Sequence, residues 1–439
     1  MSSPSNSNPQ NTNAYATLLT RPSYLAGTVI LAYTLHKHSP TTPLIIFYTP
    51  STLPQNCISA LGTESQYSNC VLRPVSHLKV PTPTSGEDSR KNSSKLIAER
   101  FADTWTKLRV FEAYDMKEKF EKICFLDSDM LIRRDPSPIV FSTPLPGEDW
   151  TLATHVCVCN LDSDPWAPAD WKRENCAYTG LTHPSCVENP PPVSSTPPTH
   201  ALFNSGCFVF QPSPALADKV MRTFESTPPE TLSWYLFPDQ DFLNQVFKGK
   251  WRALPYTVNA LKTWRYWHKE MWRDGEVRVC HFIVDKPWAA ELPEDQSVGV
   301  GYKGRDGVTH RWWWDQFRNW DDERRGEGIG KKELEELLNT VWSFTACGNG
   351  RDELKAIGSQ AQGFAENRGK NGSKGEEKKE DDKQEVQNTR SDEAPHHGND
   401  NDPSIIDEPF GPVLRPRMLG ERGHGPVVRF PVSDKSKEG

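Results

Sequence analysis

KICFLDSDML, residues 122–131, runs an apolar segment directly into two carboxylates one residue apart, Asp127 and Asp129. The first half reads as a strand buried on both faces, as in the middle of a parallel sheet. Ligand crevices in such sheets open outside the carboxyl ends of the strands. Alternate residues in an extended turn aim both carboxylates at one point, and a divalent ion needs hard oxygen ligands of that kind.

The residues before this stretch agree with that reading. AYATLLT (14–20) is a short strand signal, and RPSYLAGTVILAYTLHKH follows with Tyr24, Leu31 and Leu35 at helical spacing. PLIIFYTP (43–50) is a continuous buried strand, and CVLRPV (70–75) is a further one. Strand, helix and strand in this order form a βαβ unit, so the fold class is α/β with a mostly parallel central sheet. After a polar loop at 81–95, Phe101, Trp105, Leu108 and Phe111 mark one helical face. Lys107 lies off that stripe, and pattern alone favours a solvated lysine over one aimed at a ligand.

ALFNSGCFVF (201–210) returns to strand character, PSPALADKVMRTFE is a capped helix, and VRVCHFIVDKPW begins as another strand. Trp313, Phe317 and Trp320, then Leu334, Leu337, Leu338 and Val341, mark two closing helices. Residues 160–200, rich in Pro, Cys and Asp, read as an inserted loop covering one edge of the site. The globular part is expected over 14–346, with a disordered N-terminus over 1–13. The mixed-charge tail over 347–439 has too few apolar residues to offset its ordering entropy. Its end regains some apolar residues, PFGPVLRPRMLGERGHGPVVRFPV, a candidate partner-binding segment.

A net charge of −7, from 51 Lys and Arg against 58 Asp and Glu, favours neither nucleic acid nor an anionic membrane. No run of about eighteen apolar residues predicts a membrane span. The polar start carries no secretory signal pattern, so the ten cysteines are expected as reduced thiols of a cytoplasmic protein. Cys157, Cys159, Cys176, His183 and Cys186 include enough donors for zinc, but their spacings match no common finger or ribbon. The alternation in TLATHVCVCN instead puts Cys157 and Cys159 on one buried strand face as small apolar residues.

A bare Asp-x-Asp says little, because Asp162/Asp164, Asp239/Asp241 and Asp400/Asp402 repeat it. Asp162-Ser163-Asp164 precedes a proline without a strand to fix it and reads as turn chemistry. A dehalogenase-type phosphatase also places an Asp-x-Asp after an apolar strand. That family continues with Gly-Thr, whereas Met130-Leu131 follow here.

Taken in order, AYATLLT, WTKL, FLDSDML, FNSGCFVFQPS, PDQDFLN, LP…N and HFIVDKPW, over roughly residues 14–290, resemble glycosyltransferase family 8, the glycogenin and galactinol synthase group. The resemblance implies a single Rossmann-like nucleotide-diphospho-sugar transferase domain of GT-A type. It also implies retaining transfer of a hexose from a UDP-sugar to a hydroxyl acceptor. Asp127, Asp129 and His281 match the ligands of Mn²⁺, with Mg²⁺ as the alternative, and an imidazole ligand favours manganese. Lys286 matches a diphosphate contact. Leu18, Thr20 and Tyr24 match positions around uracil and ribose, although Tyr24 also fits the apolar helical stripe. Lys107 and Ser128 match sugar or phosphate contacts, and Asn204 and Ser205 match sugar-hydroxyl contacts beside a glycine that permits close approach. Asp239 and Gln240 match residues flanking the anomeric centre. Asp239 reads equally well as a helix cap for the segment that follows.

Two departures separate the chain from glycogenin. Arg21-Pro22 stands where glycogenins usually have Asn-Asp, and HFIVDKPW lacks a glycine and is one residue shorter than its counterpart. The expected acceptor is accordingly a small polyol or saccharide, with Trp264, Trp267 and Trp272 as its walls. Self-glucosylation on Tyr266 and a non-catalytic, partner-binding member are the alternatives. Pairing, common in the group, makes a homodimer an expectation.

Overall fold

The computed structural model describes residues 13–80, 103–164, 167–294, 299–327 and 331–348. The expected N-terminal segment up to residue 12, the 81–95 loop, Phe101 and the tail from 349 onward lie outside the described residues.

One sheet of seven strands organises the chain. Its members are β1 (Asn13–Leu19), β2 (Leu44–Tyr48), β3 (Cys70–Pro74), β4 (Lys122–Leu126), β6 (Thr151–His155), β7 (Phe203–Phe210) and β8 (Trp251–Ala253). They run in the order β3-β2-β1-β4-β7-β6-β8, and β7 alone is antiparallel to its neighbours. A second sheet joins β5 (Met130–Ile132), β10 (Val279–His281) and β9 (Ala260–Leu261) in that order. β5 starts immediately beyond Asp129, so both sheets meet at the acidic pair.

Strands buried on both faces need a layer on each side. On one side lies the Leu25–His38 helix, whose residues Leu25 to Leu35 are all buried. The Gln55–Glu64, Gly307–Glu327 and Lys332–Ser343 helices join it there. On the other, Trp105, Leu108, Phe111, Phe125 and Phe208 pack with the Pro214–Ser226 and Pro238–Val246 helices. Ser213 caps the first of these by accepting from Leu216 N–H at 3.1 Å. Tyr15 and Leu19 of β1 belong to one layer and Ala14 and Ala16 to the other, as the period-two geometry requires.

The expected helix around Trp105 is a 3₁₀ helix, Thr104–Asp115. Trp105, Leu108 and Phe111 recur every third residue, which is the 3₁₀ repeat and not the α repeat. That repeat also sets Lys107 in one row with Val110, and both are buried, so the solvated-lysine reading is overturned. β6 ends at His155, hence Cys157 and Cys159 lie beyond the strand in irregular chain. Asp162-Ser163-Asp164 is a turn: Ser163 has φ 53° and donates its N–H to Asn160 O at 3.0 Å. Trp264 and Trp272 are buried in the core and form no acceptor wall, while Trp267 is half-buried.

The first closing helix, Gly307–Glu327, is fastened to the Gln55–Glu64 helix by a buried ion pair. Arg324 donates to both carboxylate oxygens of Glu64, at 3.0 and 2.7 Å, and Trp320 Nε1 donates to the same group at 3.0 Å. Removing one partner leaves the other charge buried and unpaired. Glu64→Ala is expected to destabilise the fold by about 3–5 kcal/mol, measured by denaturant unfolding. A loss within the range of an exposed pair would show that the guanidinium finds other partners.

Candidate active site

Asp127 and Asp129 leave the end of β4, and the chain is pinned there on both sides. Asp127 N–H donates to Gly206 O at 2.8 Å, and Phe282 N–H donates to Asp129 O at 2.9 Å. Pairing of β5 with β10 puts Met130 opposite His281 and brings the imidazole across the acidic turn. One ligand atom each from Asp127, Asp129 and His281 lies within 4.8 Å of the others, and His281 Nε2 is 3.4 Å from Asp129 Oδ1. Two carboxylates and an imidazole converging from three parts of the chain can hold a divalent ion.

The imidazole is oriented by a chain of hydrogen bonds whose polarity is fixed from its far end. Gly206 N–H can only donate, so the Asn204 atom it meets at 3.1 Å is the amide oxygen. Asn259 Nδ2 donates to that oxygen and to Thr154 Oγ1, each at 2.8 Å. Its Oδ1 therefore faces His281 Nδ1, at 2.9 Å, and can only accept. Nδ1 carries the proton and the Nε2 lone pair is left for a metal, so the donor set fits a divalent ion.

Charges around the pair are balanced locally. Lys107 Nζ contacts Asp127 at 2.8 Å and Asp239 at 2.5 Å, while Lys286 Nζ pairs with Asp129 and donates to Phe282 O at 2.7 Å. Burial raises the Asp127 carboxyl to about 6, with Lys107 opposing the rise and Asp129 adding to it. Burial acts the same way on Asp129, but the Lys286 ammonium outweighs it and holds that carboxyl well below the usual range. For Lys107, burial disfavours the ammonium, yet Asp127 and Asp239 more than offset this and raise its pKa above the ordinary value.

The family model for glycosyl transferase family 8 matches residues 17–291, which span both sheets and every residue of this site. The chain belongs to glycosyl transferase family 8. It is similar to galactinol synthase 1 of Solanum lycopersicum, 24% identical over 319 residues that cover 72% of this chain and 85% of the relative. Galactinol synthase 4 of Arabidopsis thaliana is 26% identical over 306 residues, covering 68% and 80%. Among solved structures, the galactosyltransferase LgtC in complex with donor and acceptor sugar analogs has a TM-score of 0.44 at 15% identity, covering 70% of this chain and 95% of that one.

Other predicted site residues of this glycosyltransferase gather around the same point. Ser205 Oγ donates to Asp239 Oδ2 at 2.9 Å, and Asn204 Nδ2 donates to Gln240 Oε1 at 3.0 Å. The Pro238–Val246 helix has no side-chain cap; Asp239 lies inside its first turn, and Asp241 Oδ2 accepts from Leu236 and Phe237 N–H, just before the helix, at 2.8 and 3.0 Å. Asp239 is thereby left to face Lys107. Ser128, in the acidic turn, is buried. Tyr24 ends a short 3₁₀ turn ahead of the helix, with the Lys286 ammonium 5.8 Å from its ring centroid and Trp288 edge-on at 5.7 Å. Leu18 and Thr20, at the end of β1, are half-buried. The shortened HFIVDKPW turn places Val284 at φ 64°, a left-handed conformation costly for a β-branched residue, just before Lys286 turns back onto Asp129.

Two functional positions were not assigned from sequence. Asn259 was visible only as the asparagine of LP…N, with no hint of its contact with His281. Gly206 was read as making room for a ligand, but a Cβ there would lie 2.4 Å from His281 Cε1, so the glycine makes room for the histidine. A β-bulge explains its position: Ala153 pairs with Phe208 and Thr154 with Asn204, so Ser205 to Cys207 oppose no residue of β6. Asn259→Ala is expected to weaken binding of a divalent ion by about 10–100-fold, measured by manganese titration followed by electron paramagnetic resonance. Unchanged affinity would remove Asn259 from the orienting chain.

Proposed function

We propose that this glycosyltransferase moves a hexose from a UDP-sugar to a hydroxyl of a small polyol or saccharide, with Mn²⁺ at Asp127, Asp129 and His281 and with retention of anomeric configuration. One observation carries the reading: the Nε2 lone pair of an oriented histidine and two carboxylates share one point at the end of β4. A divalent cation bound there supplies positive charge to the departing diphosphate. Lys286, next to Asp129, adds a second cation for the same oxygens.

The residues on the far side of Lys107 suit the sugar. Asp239 is held by Lys107 and Ser205, one ammonium away from Asp127, and a carboxylate there can stabilise positive charge developing at the anomeric carbon. Asn204 and Gln240, already paired with each other, offer amide groups to sugar hydroxyls. Leu18, Thr20 and Tyr24 border the same end of β1 and suit the nucleoside.

The name galactinol synthase, carried by the relatives above, supports a small hydroxylated acceptor. So does Tyr266, whose hydroxyl is buried and whose ring lies 5.0 Å from the Arg305 guanidinium. A tyrosine acceptor needs an accessible hydroxyl. The second reading, self-glucosylation, requires that segment to open.

UDP release by the purified full chain, with several UDP-hexoses, manganese and a panel of polyols and saccharides, tests the proposal when products are read by mass spectrometry. Asp129→Asn is expected to lower turnover by at least about 100-fold while circular dichroism stays unchanged. Full activity in that variant contradicts the metal assignment. Tyr266→Phe is expected to leave transfer to a small acceptor intact; hexose mass found on Tyr266 in the parent chain supports self-priming instead.

A further inference from the structure

A second convergence of metal-ligating atoms lies outside the transferase site. Cys157, Cys159, Cys176 and His268 are all buried, and one donor atom from each lies within 4.8 Å of the others. His268 Nε2 is 3.5 Å from Cys157 Sγ, 3.3 Å from Cys159 Sγ and 3.8 Å from Cys176 Sγ, and the sulfurs of Cys157 and Cys176 are 4.0 Å apart. Zinc–sulfur bonds of about 2.3 Å and a zinc–nitrogen bond of about 2.0 Å at tetrahedral angles separate sulfurs by about 3.8 Å and sulfur from nitrogen by about 3.5 Å. The observed separations match that cage. A disulfide needs about 2.05 Å between sulfurs, and it would leave one of the three thiols over.

We infer that these four residues form a structural zinc site. Three soft thiolates and an imidazole select zinc, whereas the carboxylate-rich site at β4 selects a harder ion. Four protein donors close the coordination sphere and leave no position for substrate, so the role is structural. On binding, the three thiols give their protons to solvent, and the neutral imidazole donates through Nε2.

The ligands come from three separate stretches of the chain, and their cysteines form no disulfide. Cys157 and Cys159 follow β6, and both turn their sulfurs to His268 Nε2. Cys176 ends the Arg173–Asn175 turn of the 160–200 insertion, and His268 ends the Trp264–Trp267 turn beyond β9. Tyr178, 4.4 Å from the Trp264 ring and 6.0 Å from the His268 ring, shields the cluster. The ion therefore fastens the insertion to β6 and to the segment after β9, whose Leu261 pairs with His281. Among the described residues His183 and Cys186 belong to no such group, and the inference gives Cys157 and Cys159, buried as the sequence predicts, a role beyond packing.

Elemental analysis of the full chain, grown with zinc and manganese and then exchanged against a mild chelator, tests the site. About one zinc per chain is expected to remain, falling below about a tenth in Cys159→Ser and Cys176→Ser and staying unchanged in the Asp127→Asn, Asp129→Asn double variant. Protein grown in cobalt is expected to show the intense visible bands of a tetrahedral thiolate site, a readout on the parent chain that holds even if a cysteine variant does not fold. Absence of zinc from the parent chain, zinc persisting in Cys176→Ser, or its loss only with the aspartates overturns the inference.

Discussion

Burying carboxylates together is the constraint from which the site's architecture follows. Asp127, Asp129 and Asp239 meet within reach of two ammonium groups, and each lysine bridges out to a different structural layer. Lys107 comes from the 3₁₀ helix on one side of the sheet and Lys286 from the turn after β10 on the other. Without those two cations, the like charges and the loss of water would push the carboxyls toward their neutral forms. The pairing keeps the acidic turn ionised, with a donor set that could hold a divalent ion. It also ties the acidic turn after β4 to the turn after β10 of the smaller sheet.

Positioning is equally distributed. The histidine rests on Asn259, Asn259 on Asn204 and Thr154, and Asn204 on the backbone of Gly206. This chain crosses from β10 through the segment before β9 to β7 and β6, so the tautomer at residue 281 is set by four separate parts of the fold. Amide and hydroxyl partners suit the task because each bond has a defined direction, which a packing contact lacks.

Much of this was legible in the sequence. The apolar run before Asp127, the βαβ pattern and the late reappearance of His281 and Lys286 depend on local composition and order, which a single chain displays. What stayed hidden depends on three-dimensional meeting points. Lys107 carried no local mark of burial because its partners lie 20 and 132 positions away, Asp127 and Asp239. The repeat of three in Trp105, Leu108 and Phe111 was present but was read with an α period. Asp239 read equally well as a helix cap until the fold put it inside the first turn, paired with Lys107 and Ser205. His268 could not be joined to Cys157 and Cys159, because no spacing rule spans 109 or 111 residues between ligands from different loops.

The Trp288 indole carries a consequence for where this enzyme's working unit ends. Its Nε1 donates to Ser23 O at 2.8 Å, its ring fills the space a Cβ on Gly27 would need, and its own carbonyl accepts from Ala346 N–H at 2.7 Å. Trp313 lies against it at 5.5 Å. The wedge set against Ser23 and Gly27 is thus covered by helices lying beyond residue 291, where the family match stops. Trimming the chain to the family boundary would uncover that indole to water and loosen the backbone beneath Tyr24.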